Sequence, residues 1–240
     1  MDRMYKACAI VAGTLLTTAA TADVVKVADS IGEFSGVQGQ DSWSYGWYAG
    51  DDVALSGGVG SLDTADFKMF EHYAPSGWWT HDAASADAGL GATPFFLTVI
   101  TADLMHSNAP VAGSTDVASE IRWASRRWTS EVDGNVTIDG SVSKYNYGGA
   151  LGDGTEAYIL LDGAVVYHYD VANDDFEGTS FSFDLNVLAG SQIELVLGAN
   201  NDGLFDATAF SAEITGEVVP APGVIALLGM GGLLAGRRRR

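Results

Sequence analysis

The sequence predicts an all-β fold in which antiparallel strands form a β-sandwich. Hydrophobic and polar residues alternate over short runs, and Gly, Asp or Asn stands at nearly every break between runs. No segment of residues 23–217 shows a convincing helical period. This body of about 195 residues is long enough to bury its own core, and a single domain is the expectation.

The alternation predicts strands along the whole body. The clearest hairpin joins residues 157–161 to 165–169, because Asp162-Gly163 suits a tight turn in which both residues need positive φ. Residues 180–187 place apolar side chains at every second position, so one face is buried and the other is solvated. The predicted strands are 24–28, 43–48, 66–70, 95–100, 119–124, 135–142, 157–161, 165–169, 180–187, 192–197 and 207–214.

The charge of the body restricts its partners. The whole chain has 12 basic and 31 acidic residues, but six of the bases and one acid lie in residues 1–22 and 218–240. The body therefore carries 30 acidic and 6 basic residues, a net charge of −24. Such a surface repels nucleic acid and anionic lipid, and it suits divalent cations or neutral polymers such as polysaccharide. The single cysteine, Cys8, lies outside the body, so we expect no disulfide.

Residues 1–22 have the order of a cleaved secretory signal peptide. A basic start (Arg3, Lys6) precedes an apolar stretch at residues 7–16, and Ala20-Thr21-Ala22 supplies the small residues of a cleavage site. The mature chain is expected to begin near Asp23.

The C-terminal residues 218–240 combine features of a membrane-processed sorting segment. Pro220-Ala221-Pro222 stops the preceding strand, residues 223–236 are apolar or small, and the chain ends with Arg237, Arg238, Arg239 and Arg240. This order resembles the PEP-CTERM sorting signal of Gram-negative bacteria, with Pro-Ala-Pro in place of Pro-Glu-Pro. The resemblance implies processing by a membrane-bound exosortase. Since 14 residues at about 1.5 Å each are shorter than a bilayer core of about 30 Å, we expect transient insertion followed by cleavage.

The second half of the body also resembles a known module. The matching segments are residues 127–134, 136–141, 157–163, 180–184 and 206–212, and residues 43–48 look like an opening strand. They are similar to a β-sandwich module common in PEP-CTERM proteins and to galactose-binding-like jelly rolls and carbohydrate-binding modules. The resemblance implies a jelly-roll-type sandwich that binds sugars or matrix components. It does not carry over a ligand site.

Aromatic residues in the first third provide the first candidate site. Trp43, Tyr45 and Trp47 share one face of a strand, which favours the core. Trp78 and Trp79 are adjacent, so they cannot both point inward from a strand. Sugars stack on aromatic rings and pair with polar groups. The candidate ligand-binding residues are therefore Trp78, Trp79, His81 and Asp82, with packing on the sandwich edge or against a partner subunit as the alternatives.

A second candidate is a calcium site at residues 200–206. Asn200, Asp202 and Asp206 supply the oxygen ligands that Ca²⁺ prefers, but the Asp-x-Asp-x-Asp-Gly run and the distal Glu of a calcium loop are missing. An Asn- and Gly-rich hairpin turn explains the same residues and is the favoured interpretation.

No motif identifies an enzymatic reaction. The four histidines lack zinc-ligand spacing, and there is neither a Gly-x-Ser-x-Gly elbow nor a phosphate-binding Gly loop. His168 lies in an apolar strand, which favours a structural role. Arg126-Arg127 suits either a bound carboxylate or acidic partners on neighbouring strands.

These observations predict an exported, non-catalytic protein on the outer surface or in the extracellular matrix of a Gram-negative-type bacterium. Its expected partners are extracellular polysaccharide or matrix components and the sorting enzyme in the membrane. The alternatives are a structural protein that associates with itself, with Ca²⁺ as a cofactor, and a polysaccharide-degrading enzyme of jelly-roll type.

Overall fold

The computed structural model confirms the predicted all-β antiparallel sandwich. It describes residues 23–50, 53–74, 77–79, 98–109, 121–146, 149–200, 203 and 205–218. Within these residues, Val24–Glu217 forms one compact unit, and the only helical elements are two 3₁₀ turns at Gln40–Ser42 and Thr64–Asp66. No helix in this part of the chain is long and apolar enough to span a membrane.

Sixteen strands occur in the described residues. They are β1 (Asp23–Asp29), β2 (Trp43–Ala49), β3 (Ala54–Ser56), β4 (Val59–Ser61), β5 (Lys68–Met69), β6 (His72–Ala74), β7 (Gly77–Trp79), β8 (Val99–Thr101), β9 (Met105–His106), β10 (Arg122–Thr129), β11 (Gly134–Lys144), β12 (Thr155–Leu161), β13 (Ala164–Val171), β14 (Thr179–Val187), β15 (Gln192–Ala199) and β16 (Thr208–Val218).

The strands form two sheets. Sheet I has the order β14-β11-β16-β9-β8-β7-β6, and β1 also pairs with β16. Sheet II has the order β3-β4-β13-β12-β15-β10-β2-β5. The main core joins the two sheets. In sheet II it includes Trp43, Trp128 and Leu195, and in sheet I it includes Ile138 and Phe210, all with at most 1% exposure. Burial of these large side chains is the main favourable contribution to folding.

The clearest sequence signals are confirmed. Asp162 and Gly163 join β12 to β13 with φ of 50° and 82°, as a tight primed turn requires. Along β14, Phe181 and Val187 are buried and Ser182 is exposed, as the alternation predicts.

Two predictions differ from the structure. Strand β10 continues to Thr129 instead of ending at residue 124, because β2 and β15 pair with it on both sides as far as Trp128. The strand predicted at 66–70 shortens to β5, which follows the turn Thr64–Asp66. The strand predicted at 95–100 begins among residues 80–97, which lie outside the described part of the chain.

The outer face of sheet II is also covered. A second apolar cluster, which includes Tyr48, Trp123 and Val196, lies on this face, and the chain between residues 53 and 67 contributes Leu55 and Leu62 to it. The central strands of sheet II therefore have side chains buried on both faces, and Ile193–Ala199 is buried at every residue. A strand between two covered faces reads as a continuous apolar run rather than an alternating one.

A charged network lies within this second cluster. Glu194 is fully buried, and its carboxylate accepts hydrogen bonds from Tyr48 Oη (2.9 and 3.0 Å) and Ser125 Oγ (2.9 Å). Arg127 Nη2 lies 3.3 Å from Glu194 Oε1 and also donates to the carbonyl of Thr64 (2.9 Å). Burial, followed by the charge of Glu194, raises the pKa of Tyr48, so its phenol stays protonated and donates. The sequence suggested that Arg127 either binds a carboxylate ligand or pairs with an acidic residue on a neighbouring strand. The structure supports the second interpretation, with Glu194 as the acidic residue.

Arg126 points to the opposite face and is fully buried in the main core. Its guanidinium donates to four carbonyls, those of Ser30 (2.9 Å), Thr101 (2.6 Å), Ala102 (3.1 Å) and Leu104 (3.3 Å). Burial lowers its pKa to about 10, so the side chain is still charged at neutral pH. Arg126 therefore connects the end of β1 and the β8–β9 turn to the centre of sheet II.

Candidate functional site

The chain changes sheets at one edge of the sandwich. Met69 in β5 pairs with Gly46 in sheet II, whereas His72 in β6 pairs with Trp79 in sheet I. Between them, Phe70 is buried and its N–H donates to the carbonyl of Tyr45 at 3.0 Å. Residues 70 and 71 therefore connect the two sheets at this edge.

Gly46 makes this arrangement possible. A Cβ atom at this position would lie 2.4 Å from the carbonyl oxygen of Lys68 and 2.5 Å from Cζ of Phe67. The first neighbour is backbone and cannot move without breaking the ladder, so any other residue would displace β5. A glycine inside a strand often marks such a close approach.

A groove of about 310 Å³ opens beside the crossing. Its volume is at the small end of the range of about 300–1,000 Å³ that is typical of small-molecule sites. Two partly exposed indole rings, those of Trp47 and Trp79, line it together with charged and polar groups. The lining residues are Trp47, Lys68, Met69, Phe70, Glu71, His72, Trp79 and Arg122.

Trp47 is held between two cations. Lys68 Nζ lies 4.8 Å from the centroid of its ring, and Arg122 Cζ lies 4.7 Å from it. Both distances are within the range of a cation–π interaction. Lys68 comes from β5 and Arg122 from β10, the two strands that flank β2 in sheet II. The sheet order therefore sets the orientation of this ring.

The placement of these two cations is unusual for the body as a whole. Of its six basic residues, Arg126, Arg127 and Lys144 are buried, and Lys26 pairs with Asp29 (2.9 Å) and Glu213 (3.5 Å). The remaining two are Lys68 and Arg122, so both lie beside Trp47 although the body carries 30 acidic residues. Two of the six basic residues of the body therefore line this groove beside an aromatic ring.

The structure separates the two tryptophans that the sequence put forward together. Trp78 is 5% exposed, stacks on Tyr45 with a centroid distance of 5.9 Å, and donates from Nε1 to the carbonyl of Ser35 at 2.9 Å. It is a core residue and presents no ring to a ligand. Trp79 points the other way and lines the groove, as the alternation of a strand requires. His81 and Asp82 lie outside the described residues.

The candidate calcium residues are placed differently from one another. Asn200 is exposed and its amide donates to the carbonyl of Asp153 at 3.1 Å, whereas Asp206 is fully buried. Asp202 lies outside the described residues. A calcium site at Asn200, Asp202 and Asp206 therefore stays a prediction. Pro220, Pro222 and Arg237–Arg240 of the sorting segment also lie outside the described part of the chain.

Sequence reasoning put forward Trp79 but missed the other groove residues, Trp47 above all. It assigned Trp47 to the core with Trp43 and Tyr45, since the three share one strand face, and the structure buries the other two completely. Trp47 differs because it is only partly buried: it packs against the main core, and its ring also lines the groove between Lys68 and Arg122. The sequence contains one signal for this site: the body has so few basic residues that each of them is notable. The sequence does not show which aromatic ring these residues approach.

Comparisons with known proteins give only distant similarities. No protein-family model and no curated protein matches the chain. Among solved structures, the CBM22-1 xylan-binding domain of Xyn10C from Paenibacillus barcinonensis is 12% identical with a TM-score of 0.33, and the match covers 84% of this chain and 100% of that one. CBM51 from Clostridium perfringens GH95, in complex with methyl-galactose, is 10% identical with a TM-score of 0.31, covering 46% and 79%.

A third similar structure is the C-terminal CBM6 of LamC from Zobellia galactanivorans, which is 16% identical with a TM-score of 0.27, covering 72% of this chain and 99% of that one. These neighbours are carbohydrate-binding modules, but at such identities and scores the likeness assigns neither a ligand nor a site. The fold assignment rests on the sheet topology described above.

Proposed function

We propose that the chain is an exported, non-catalytic β-sandwich that binds extracellular polysaccharide or matrix components through the groove. The observation that carries this proposal is the pair of partly exposed indole rings, Trp47 and Trp79, in one groove with charged and polar neighbours. The apolar face of a sugar ring stacks on an aromatic ring, and its hydroxyl groups take hydrogen bonds from side chains around it.

The other lining residues supply the hydrogen bonds that such a ligand needs. Lys68, His72 and Arg122 offer N–H donors, and Glu71 offers carboxylate acceptors. The small volume favours contact with a short stretch of a polysaccharide, while the rest of the polymer runs along the surface. A neutral or uronate-containing chain suits these groups, because two basic side chains, Lys68 and Arg122, line the groove.

The same groove supports binding more than hydrolysis. Glycoside hydrolysis generally requires two carboxyl groups on either side of the scissile bond. Among the described residues that line the groove, Glu71 is the single carboxylate. This lining supports the proposal of a recognition surface.

Binding of the purified full-length chain to a panel of neutral and uronate-containing polysaccharides tests the proposal. We expect saturable binding, and we expect Trp79→Ala and Trp47→Ala each to weaken it at least about tenfold, which corresponds to about 1.4 kcal/mol. The Trp79→Ala result is easier to interpret, because Trp47 also packs against the main core and its removal can affect folding. Isothermal titration calorimetry in Ca²⁺ and then in chelator measures the affinity and shows whether the cation contributes.

The matched control is Phe176→Ala. Phe176 is an aromatic residue with 38% exposure between β13 and β14, and it does not line the groove. Its variant should bind as the parent does. Binding that is equally strong in all three variants would place the site elsewhere, and a panel without any saturable binding would reject the proposed function.

Export and sorting form the second part of the proposal, and they rest on residues 1–22 and 218–240. We propose that a membrane-bound processing enzyme recognises the C-terminal segment and that the body then reaches the outer surface or the extracellular matrix. Deleting residues 220–240 is expected to abolish surface association and to leave the protein in other cell fractions. Fractionation followed by immunoblotting measures this, with Phe176→Ala as the control. Unchanged surface association of the deletion variant would disprove the sorting role.

A further inference from the structure

A cluster of metal-ligating side chains lies on the outer face of sheet II, away from the residues that line the groove. It consists of Glu156 on β12 and His168 and Asp170 on β13, whose ligand atoms all lie within 4.8 Å of one another. Strand pairing brings them together: Glu156 is opposite Asp170, and His168 is two residues from Asp170 on the same face. We infer that these three residues bind a divalent transition metal ion of the Zn²⁺ class.

The ligand-atom distances are close to those of such a site, and all three are within 4.8 Å. His168 Nε2 lies 3.1 Å from Asp170 Oδ1 and 3.8 Å from Glu156 Oε1. Bonds of about 2.0–2.2 Å from Zn²⁺ to nitrogen and oxygen in tetrahedral geometry separate ligand atoms by about 3.3–3.6 Å. Small side-chain rotations bring the distances from His168 Nε2 to Asp170 Oδ1 and to Glu156 Oε1 into this range. The side chain of Asp170 is free to rotate because it is 78% exposed.

Neighbouring residues hold the other two ligands in place. Tyr158 Oη donates to Glu156 Oε2 at 2.9 Å, and the N–H of Gly57 approaches Glu156 Oε1 at 3.3 Å. The ring of His168 packs on Tyr158 with a centroid distance of 4.6 Å. Gly58, which has a φ of 83°, lies so close that a Cβ atom there would be 3.0 Å from His168 Nδ1. Hydrogen bonds of this kind to ligating carboxylates are typical of metal sites.

Charge gives a reason for a cation at this position. Two carboxylates converge on one ring nitrogen of His168, so the cluster keeps a negative charge even if the imidazole is protonated. A divalent ion neutralises both acids at once, whereas an ion pair of His168 with Asp170 leaves the charge of Glu156 in place. The side chains of Glu156 and His168 are only 20% and 16% exposed. Water therefore screens the repulsion between the carboxylates of Glu156 and Asp170 incompletely.

The ligand types select the metal. Ca²⁺ takes six to eight oxygen ligands, whereas this cluster offers one imidazole nitrogen and two carboxylates. Imidazole suits Zn²⁺, Cu²⁺ and Ni²⁺, and three protein ligands leave one coordination position for water or for a bound molecule. The site is distinct from the calcium site predicted at Asn200, Asp202 and Asp206.

Titration of the full-length chain with Zn²⁺ by calorimetry, with Ca²⁺ in a parallel experiment, tests this inference. We expect one saturable Zn²⁺ site in the parent. His168→Ala and Glu156→Gln should abolish it, and Tyr158→Phe, which removes the hydroxyl that donates to Glu156 Oε2, should weaken it about 10- to 100-fold. His72→Ala is the control, because His72 is an exposed histidine in the groove, and its variant should bind Zn²⁺ as the parent does.

A measurement on the unmodified protein covers the case in which a variant fails to fold. Side-chain NMR of the four histidines should show that stoichiometric Zn²⁺ shifts the imidazole signals of His168 and leaves those of His72 in place. Three outcomes would overturn the inference: no saturable Zn²⁺ binding, binding that persists in His168→Ala, or a site that takes Ca²⁺ in preference to Zn²⁺.

Discussion

Replacing Glu194 with leucine is expected to lower the free energy of unfolding by about 3–5 kcal/mol. The carboxylate is fully buried on the outer face of sheet II and pairs with Arg127 while accepting hydrogen bonds from Tyr48 and Ser125. Its removal leaves the guanidinium of Arg127 buried without a counter-charge, and a buried unpaired charge is strongly unfavourable. Urea unfolding followed by far-UV circular dichroism measures the loss.

A double-mutant cycle separates the charge from the packing. Glu194→Leu/Arg127→Met should lose less stability than the sum of the two single variants, because the double variant buries no unpaired charge. Glu213→Leu is the control, since Glu213 is half-exposed on β16 and its variant should unfold nearly as the parent does. A similar loss in Glu194→Leu and Glu213→Leu would show that the network contributes little.

Replacing Arg126 with methionine is the second large expected effect, with a loss of at least about 3 kcal/mol. The guanidinium donates to the carbonyls of Ser30, Thr101, Ala102 and Leu104, and methionine fills similar space without donating. The carbonyl of Leu104 keeps a second donor, the N–H of Thr101 at 2.9 Å. Each buried acceptor that loses its donor costs roughly 1–3 kcal/mol. Arg126→Lys should recover only part of the loss, because an ammonium group has three donors and cannot reproduce the planar fork. The same urea experiment measures both variants.

Lys26→Met provides the comparison for Arg126. Lys26 is also a basic residue, and it pairs with Asp29, but its side chain is 49% exposed, so its loss should barely move the unfolding midpoint. If Arg126→Met were as stable as Lys26→Met, the hydrogen bonds of Arg126 to these carbonyls would contribute little, and Arg126 would not connect these segments.

The network around Glu194 has a consequence for the groove. Arg127 donates to the carbonyl of Thr64 and packs on Phe67 with Cζ 3.9 Å from the ring centroid. Phe67 precedes β5, which places Lys68 beside Trp47. The buried charges therefore hold the segment that completes the groove. This is a reason for a charged network at a place where apolar residues of similar size would often be as stable.

The local elements were predictable because their signals are local. The Asp162-Gly163 turn and the alternation in β14 depend on residues next to each other in the chain, and both are confirmed. The hairpin of β3 and β4 gave no comparable signal, because these strands have three residues each and depend on contacts with sheet II. Isolated hairpins of this size are not stable by themselves.

The candidate sites were predictable only in part because they join residues that are far apart in the sequence. The alternation in β7 correctly required Trp78 and Trp79 to point in opposite directions, but it could not tell which of them faces the core. Trp47 and Arg122 meet because β2 pairs with β10 across more than seventy residues of chain. His168 reads as a structural residue from its neighbours Tyr167 and Tyr169, and only the register of β12 and β13 brings Glu156 to it.

The sequence by itself determined the all-β class, most of the strands and the strongly acidic body, since period-two patterning, turn chemistry and composition are properties of the chain alone. The tertiary structure decided that sheet II is buried on both faces, which explains the burial of Glu194 and Arg127. It also decided that the two remaining bases lie beside Trp47 and that one histidine meets two carboxylates. These features depend on strand order and register, and each such pairing involves residues whose contact no local pattern encodes.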